Sequence, residues 1–234
     1  MSVREVWDWL STPNLDFFYI EKLVKRDMSI IPKLASSQGR KDQEPNKELG
    51  KWLVENNHLA GIKEAADNLL NEDRNIRIDC LAVLEQVGLL APELIEDYLE
   101  EFLRLIFSID NRQIWAAMIN IALIADRNPD QIISRLDEII KVIDKGSVIT
   151  QDNGIKILAR VAAAKPEYIE RVFPYLIDQL KNCRSKSLPQ YAESISIAVR
   201  QDYRDQYLSV LSSRLNELSA AQEKRVKKII NNFE

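Results

Sequence analysis

Pro92-Glu-Leu-Ile-Glu-Asp-Tyr-Leu-Glu-Glu-Phe-Leu-Arg-Leu-Ile106 decides the reading of this chain, because its pattern returns from Pro129 and from Pro166, a step of 37 residues. Ile95, Ile132 and Ile169 correspond, as do Leu99, Leu136 and Phe173. Phe102, Ile139 and Leu176 form a third column, and Ile106, Ile143 and Leu180 a fourth. Within each unit these apolar residues recur at the spacing of one helix face. Proline suits the first helical position, where its missing N–H would go unpaired anyway, and the early acids favour the positive end of the helix dipole. Asn128, just before Pro129, is a good N-cap. A period of this length belongs to stacked supersecondary units rather than to one globular core.

Each unit holds a second helix. Ser108-Ile-Asp110 breaks the pattern, and helical spacing resumes from about Arg112 to Ala125, with counterparts beginning near Asn75 and Thr150. Cys80, Ala117 and Gly154 form a column of small residues, as do Gly88, Ala125 and Ala162. Leu84, Ile121 and Leu158 form a large core column, as do Val87, Ile124 and Val161. Small residues at two fixed places let neighbouring helices approach closely.

The pattern continues outward less regularly. Glu48 to Glu55 and Leu53 to Leu70 fit a pair one period upstream; Ser187 to Gln201 and Tyr203 to Leu218 fit one downstream. Gln222 to Asn232 reads as a final polar helix, and Val3 to Leu10 and Leu15 to Lys25 as short helices rich in aromatics. Ser36 to Pro45 is a polar loop. End units of solenoids are atypical because one face lacks a neighbour. The expected organisation is therefore a single repeat domain over 1–234, with an N-terminal cap over 1–47, core repeats over 48–201 and a C-terminal cap over 202–234.

The layout resembles the HEAT/armadillo class of helical repeats. The local match is Asp73-Arg-Asn-Ile-Arg77 followed by Cys80, Leu81 and Leu84, similar to that class's turn aspartate, valine-arginine pair, small residue and leucine. The resemblance implies an all-α, right-handed α-α superhelix, a solenoid of about five or six antiparallel helix pairs. It also implies a ladder between adjacent repeats through Asp73 and Arg77. Asp110 keeps the aspartate, but Ile114 replaces the arginine, and the next unit has Ser147 and Gln151. Such folds host many functions.

Composition excludes several classes. Apolar residues make up 46% and charged residues 29%, and only six glycines occur, too few for a fold built on many tight turns. The longest near-continuous apolar run, Ile114 to Ala125, is far short of the roughly 20 residues a bilayer span needs. No secretory leader is evident, and Cys80 and Cys183 are widely separated without metal-ligand spacing, so no disulfide framework and a reducing cytoplasm are expected. Residues 1–145 carry 18 Lys and Arg against 26 Asp and Glu, whereas residues 146–234 carry 14 against 10, leaving the C-terminal part mildly basic.

Catalytic signatures are sparse. The one histidine, His58, opens a helix and has no marked nucleophile, so an exposed or capping residue is expected. Cys80 falls in a small core column and reads as an inert thiol. Glu96, Asp97, Glu100 and Glu101 read as a solvated face. No phosphate-cradling glycine loop or His/Cys cluster is present, and no cofactor or metal is implied.

One helix departs from the repeat. Where the preceding unit places Arg77, Asp79, Ala82, Glu85 and Gln86 on its outward phase, this one places Ile114, Ala116, Ile119, Ala122 and Leu123. A helix apolar all round is either buried or exposes a patch, and such patches mark binding sites. In the related families second helices line the concave face. Ile114, Trp115, Ile119 and Leu123 are therefore the candidate binding residues, flanked by Lys156 and Arg160, which would favour an acidic protein or peptide. Curvature, a dimer partner or the N-terminal segment could equally cover this helix. Asn120 stands where other units have Val83 and Ile157, so it needs a neighbour's hydrogen bond.

The expected function is a non-enzymatic scaffold that binds a peptide or partner helix, with oligomeric state left open. The alternative follows from a likeness to helical-repeat alkyl-base DNA glycosylases, which implies a basic cleft with aromatics and a catalytic aspartate. Lys156, Arg160, Arg200, Lys224, Arg225, Lys227 and Lys228 are the basic candidates. Trp115, however, has no neighbouring acid on the outward phase, and few aromatics interleave these positions.

Overall fold

The computed structural model describes residues 29–233, so the expected helices at Val3 to Leu10 and Leu15 to Lys25 lie outside the described residues. Twelve α-helices and several 3-10 turns make up the described residues, with no strand among them.

The helices form two layers. One holds α1 (Glu44–Glu55), α3 (Arg74–Leu90), α5 (Asn111–Ile124), α8 (Val148–Ala164), α10 (Leu188–Ser196) and α12 (Ala220–Asn231), each packed on the next. The other holds α2 (Leu59–Asp67), α4 (Leu99–Leu105), α6 (Pro129–Ser134) with α7 (Leu136–Lys145), α9 (Ile169–Asn182) and α11 (Gln201–Ser213). Five pairs result, preceded by α1, which belongs to the second-helix layer. The chain is an all-α superhelix.

The apolar columns explain the stacking. All twelve residues of the four first-helix columns are buried, as are all twelve of the second-helix columns. They merge into one continuous core from Ile30 to Ile229. Glycine makes one approach possible. A Cβ on Gly154 would lie 2.2 Å from Ile143 Cγ1, so the Ile143 side chain of α7 rests directly on the backbone of α8.

Helix starts differ from the expected ones in detail. After Pro92 and Pro166 the chain first makes 3-10 turns, and regular α-helix begins only at Leu99 and Ile169. Pro129 does open a helix, but the Asn128 side chain does not cap it. Its amide instead donates across the repeat to Glu96 O at 3.1 Å and back to Ile124 O at 3.3 Å. Asp73, Asp110 and Ser147 cap α3, α5 and α8, each accepting from a first-turn backbone N–H.

The inter-repeat ladder runs through a neighbouring arginine. Arg74 donates to Asp110 through Nε at 2.5 Å and Nη2 at 3.1 Å. Arg77 turns back to its own loop, donating to Asn71 O at 2.5 Å and Glu72 O at 3.0 Å. With the Gln113 amide oriented to satisfy its surroundings, Arg77 also donates to that side chain at 2.7 Å. Among the described residues this ladder joins α3 to α5; at the next step, where Ile114 replaces the arginine, Ser147 bonds to Thr150 within its own turn.

Ser36 to Pro45 is ordered by buried polar groups. Asp79, 4% exposed, accepts from Ser36 N at 2.7 Å and from Asn46 Nδ2 at 2.8 Å. Asn46 Oδ1 accepts from Ala35 N at 2.9 Å. Asp79 thus faces the cap loop instead of outward. Gly39, at φ +70°, supplies the left-handed turn this loop needs.

Candidate functional site

The second-helix layer presents its side chains in rungs, one from each helix. Its open face is centred one residue away from the expected phase. Ile78, Ala82, Glu85 and Leu89 of α3 stand beside Arg112, Trp115, Ala116 and Ile119 of α5, with Gln43 and Lys47 completing the wall from the start of α1. Between them lies a groove of about 250 Å³. Gly50 brings α1 close against α3 beside this groove. A Cβ there would lie 2.7 Å from Gln86 Cβ and 2.8 Å from Val83 O, so only glycine lets α1 seat against α3.

The expected site residues divide between two places. Trp115 and Ile119, both half-buried, form the α5 wall of this groove. Ile114 is also half-buried but does not line it. Leu123 leans back on α3, its Cδ1 3.0 Å from where a Gly88 Cβ would stand. Ala116 and Ala122, expected outward, are each 5% exposed, Ala116 within the groove lining and Ala122 outside it. The apolar helix is therefore neither fully buried nor a broad patch. It offers a narrow apolar wall.

Lys156 and Arg160 line a second, separate depression of about 240 Å³ with Glu193, Ser194 and Ile197. Arg160 is already engaged. Its Nη1 donates to Ala122 O at 2.7 Å and Leu123 O at 3.3 Å, satisfying carbonyls of the last turn of α5. It also lies 3.9 Å from Asp126. Lys156 and Arg160 thus share one depression, with the Arg160 guanidinium keeping its charge while it is held over the end of α5. Of the other basic candidates, Arg225 pairs with Glu193 and Lys227 with Glu223. Among the described residues these ion pairs interrupt the row of basic candidates along this face.

The groove carries its own charges. Glu85 makes no hydrogen bond or ion pair among the described residues, and burial against the apolar wall raises its carboxyl above the ordinary range, opposed only by Lys47. Lys47 itself is tied to Glu44 at 2.7 Å. The Arg112 side chain likewise has no ion pair among the described residues. One unit on, Asp152 occupies the Trp115 rung, its carboxyl also raised by burial and offset by Lys156 and Arg184. Ile78, Leu89, Glu85 and Arg112 were missed as site residues. Placing Ile78, Trp115 and Asp152 in one 37-residue column would have revealed the face.

The remaining chemical candidates are structural. His58 caps α2, its Nδ1 accepting from Gly61 N at 3.0 Å. Cys80 is fully buried, and desolvation pushes its thiol up to about 12. Glu96 and Glu100 face cations of the next unit, Arg127 at 2.8 Å and Arg135 at 3.7 Å. Both cysteines are free. Among the described residues no group of three or more His, Cys, Asp or Glu is placed to hold a metal, and no helix is long and apolar enough to cross a membrane.

No protein-family model and no curated protein matches the chain. Solved structures do. A designed armadillo repeat protein superposes with a TM-score of 0.62 at 15% identity, covering 87% of this chain and all of that one. The fold is armadillo-like. A second designed armadillo repeat protein, in complex with the peptide (KR)4, gives the same TM-score at 14% identity with both chains fully covered. An engineered protein matches at 0.62 and 17% identity over 82% of this chain and 89% of that one. Identities this low speak for the armadillo-like fold alone.

Proposed function

We propose that this armadillo-like chain is a non-enzymatic binding scaffold whose partner, a peptide or a partner helix, docks in the groove between α1, α3 and α5. The groove itself carries the reading. It is bounded by rigid helices, walled by Ile78, Ala82, Trp115 and Ile119, and not filled by any described side chain of the chain. Helix-in-groove recognition seats apolar anchors in such a channel, and sites built on helices hold their geometry better than sites on loops. A designed armadillo neighbour carries a peptide, which supports a peptide as the class of partner.

The test is a peptide selection on the full chain, repeated on Ile119→Asp and Trp115→Ala variants whose helical content and melting are checked first. Peptides that dock here should weaken roughly tenfold or more on either variant, as expected for a central apolar anchor. Selected peptides that bind both folded variants as tightly as the parent would overturn the groove. Salt-dependent DNA retention with release of alkylated bases would instead favour the glycosylase reading.

A further inference from the structure

Glu85 and Arg112 are the two groove charges without an ion pair among the described residues. In the 37-residue register Arg112 stands level with Asn75, ten residues before Glu85. At 1.5 Å rise per residue the two charges lie at opposite ends of the groove, roughly 15 Å apart along the helix axes. Between them the wall is apolar, from Ile78 and Ala82 on one side and Trp115 and Ile119 on the other. Glu85 is also desolvated in the free protein, which is unfavourable unless a cation arrives. Lys47 offsets this only in part, because its ammonium is held by Glu44 at 2.7 Å.

We infer that the groove selects a bipolar segment, one with an apolar anchor flanked by a basic residue that meets Glu85 and an acidic residue that meets Arg112. This rests on the groove being the docking site. The separation fits about ten residues of a helix lying along α3 and α5, or four to five residues of extended chain. It replaces a uniformly acidic partner, since an all-acidic segment would bring like charge onto a carboxylate that Lys47 offsets only in part. An all-basic segment would do the same to Arg112. Unlike-charge matching at both ends also fixes the direction in which the segment lies.

The experiment uses three labelled dodecapeptides of identical length with the same central leucines, differing only in flanking charge: lysine on one side and glutamate on the other, lysine on both, and glutamate on both. Binding to the full chain is read by fluorescence anisotropy. The bipolar peptide should bind most tightly, by roughly tenfold over each uniform one. Glu85→Lys should move the preference to the all-glutamate peptide, and Arg112→Glu to the all-lysine peptide. Glu85→Gln, a milder change, should abolish the discrimination between bipolar and all-glutamate peptides while leaving the helical content of the chain intact. A parent chain that prefers either uniform peptide, or swaps that leave the order unchanged, overturns the inference while the groove stands. If none of the peptides binds, or if Ile119→Asp leaves the best one unaffected, the groove reading itself falls and the inference with it.

Discussion

Replacing Asn120 by valine should stabilise the protein. Asn120 is fully buried in α5, in the column that holds Val83 and Ile157 in the flanking units. Its Nδ2 donates to Leu81 O of α3 at 3.2 Å and to Ala116 O at 3.0 Å. Both carbonyls sit inside helices, where a backbone N–H four residues on already serves them. Its Oδ1 has no donor among the described residues. Losing the two amide bonds costs about 1 kcal/mol each at most, while relieving an orphaned buried carbonyl recovers about 1–3 kcal/mol. Added apolar burial contributes about 0.8 kcal/mol per methylene equivalent. The sum favours Asn120→Val by about 1 kcal/mol, or roughly 2–4 °C in melting temperature for a chain of this size. Asn120→Asp, which buries a charge beside carbonyl acceptors, should instead lose about 3–5 kcal/mol. Urea unfolding followed by circular dichroism measures both. A valine variant less stable than the parent by more than about 1 kcal/mol would refute the reasoning, because the amide would then be a net contributor and its Oδ1 satisfied.

Asp79→Ala should release the Ser36 to Pro45 loop by removing the acceptor for Ser36 N and Asn46 Nδ2, at a cost of about 2–3 kcal/mol; limited proteolysis within that loop reports it, and unchanged cleavage would contradict the assignment. Gly154→Ala places a Cβ 2.2 Å from the buried Ile143 Cγ1. The strain should outweigh the gain in helix propensity and lower stability by about 1–2 kcal/mol in thermal melts. Glu85→Gln should act oppositely on stability and on binding. Burial raises the Glu85 carboxyl from its ordinary 4.5, so the folded chain holds that proton more tightly than the unfolded one. Its stabilising effect is therefore greatest below 4.5 and fades as pH climbs through the folded value. At neutral pH the glutamine variant should melt higher than the parent, and a lower melting temperature would show that the carboxylate is compensated.

The repeat was legible because burial demands are periodic. Every column from Ile95 to Leu180 had to face the same interior, and a 37-residue step in composition records that demand directly. The site was legible only in part. Trp115 and Ile119 stood out because polar residues were missing, but the face was set one residue off its true centre. Ala116 and Ala122 show why: alanine on a close-packed helix is compatible with either side, so apolar pattern alone does not distinguish a wall from an interior. Arg160 shows another limit. Its spacing marked it as outward and free, whereas its partner is a backbone carbonyl, a demand that side-chain patterns do not display. Asp79 was misplaced for the same reason, since its partners are Ser36 N and the Asn46 amide, 33 residues upstream.

These polar exceptions share one effect on α5. The apolar columns set the register of neighbouring helices through size alone, the large Leu84, Ile121 and Leu158 standing one turn from small columns on either side. Directional contacts reinforce that register. Arg74 of the preceding unit holds the first turn of α5 through Asp110, the Asn120 amide reaches Leu81 at its middle, and Arg160 of the following unit closes its last turn. All three lie away from the groove wall. The helix with the least polar surface is thus fixed at both ends and its centre by hydrogen bonds to its neighbours, which leaves Trp115 and Ile119 free to stay apolar. On this account Asn120 specifies register at a cost in stability, as single buried polar residues do in coiled coils. Asn120→Val should then melt higher yet weaken peptide binding at Trp115, although residue 120 faces away from the groove.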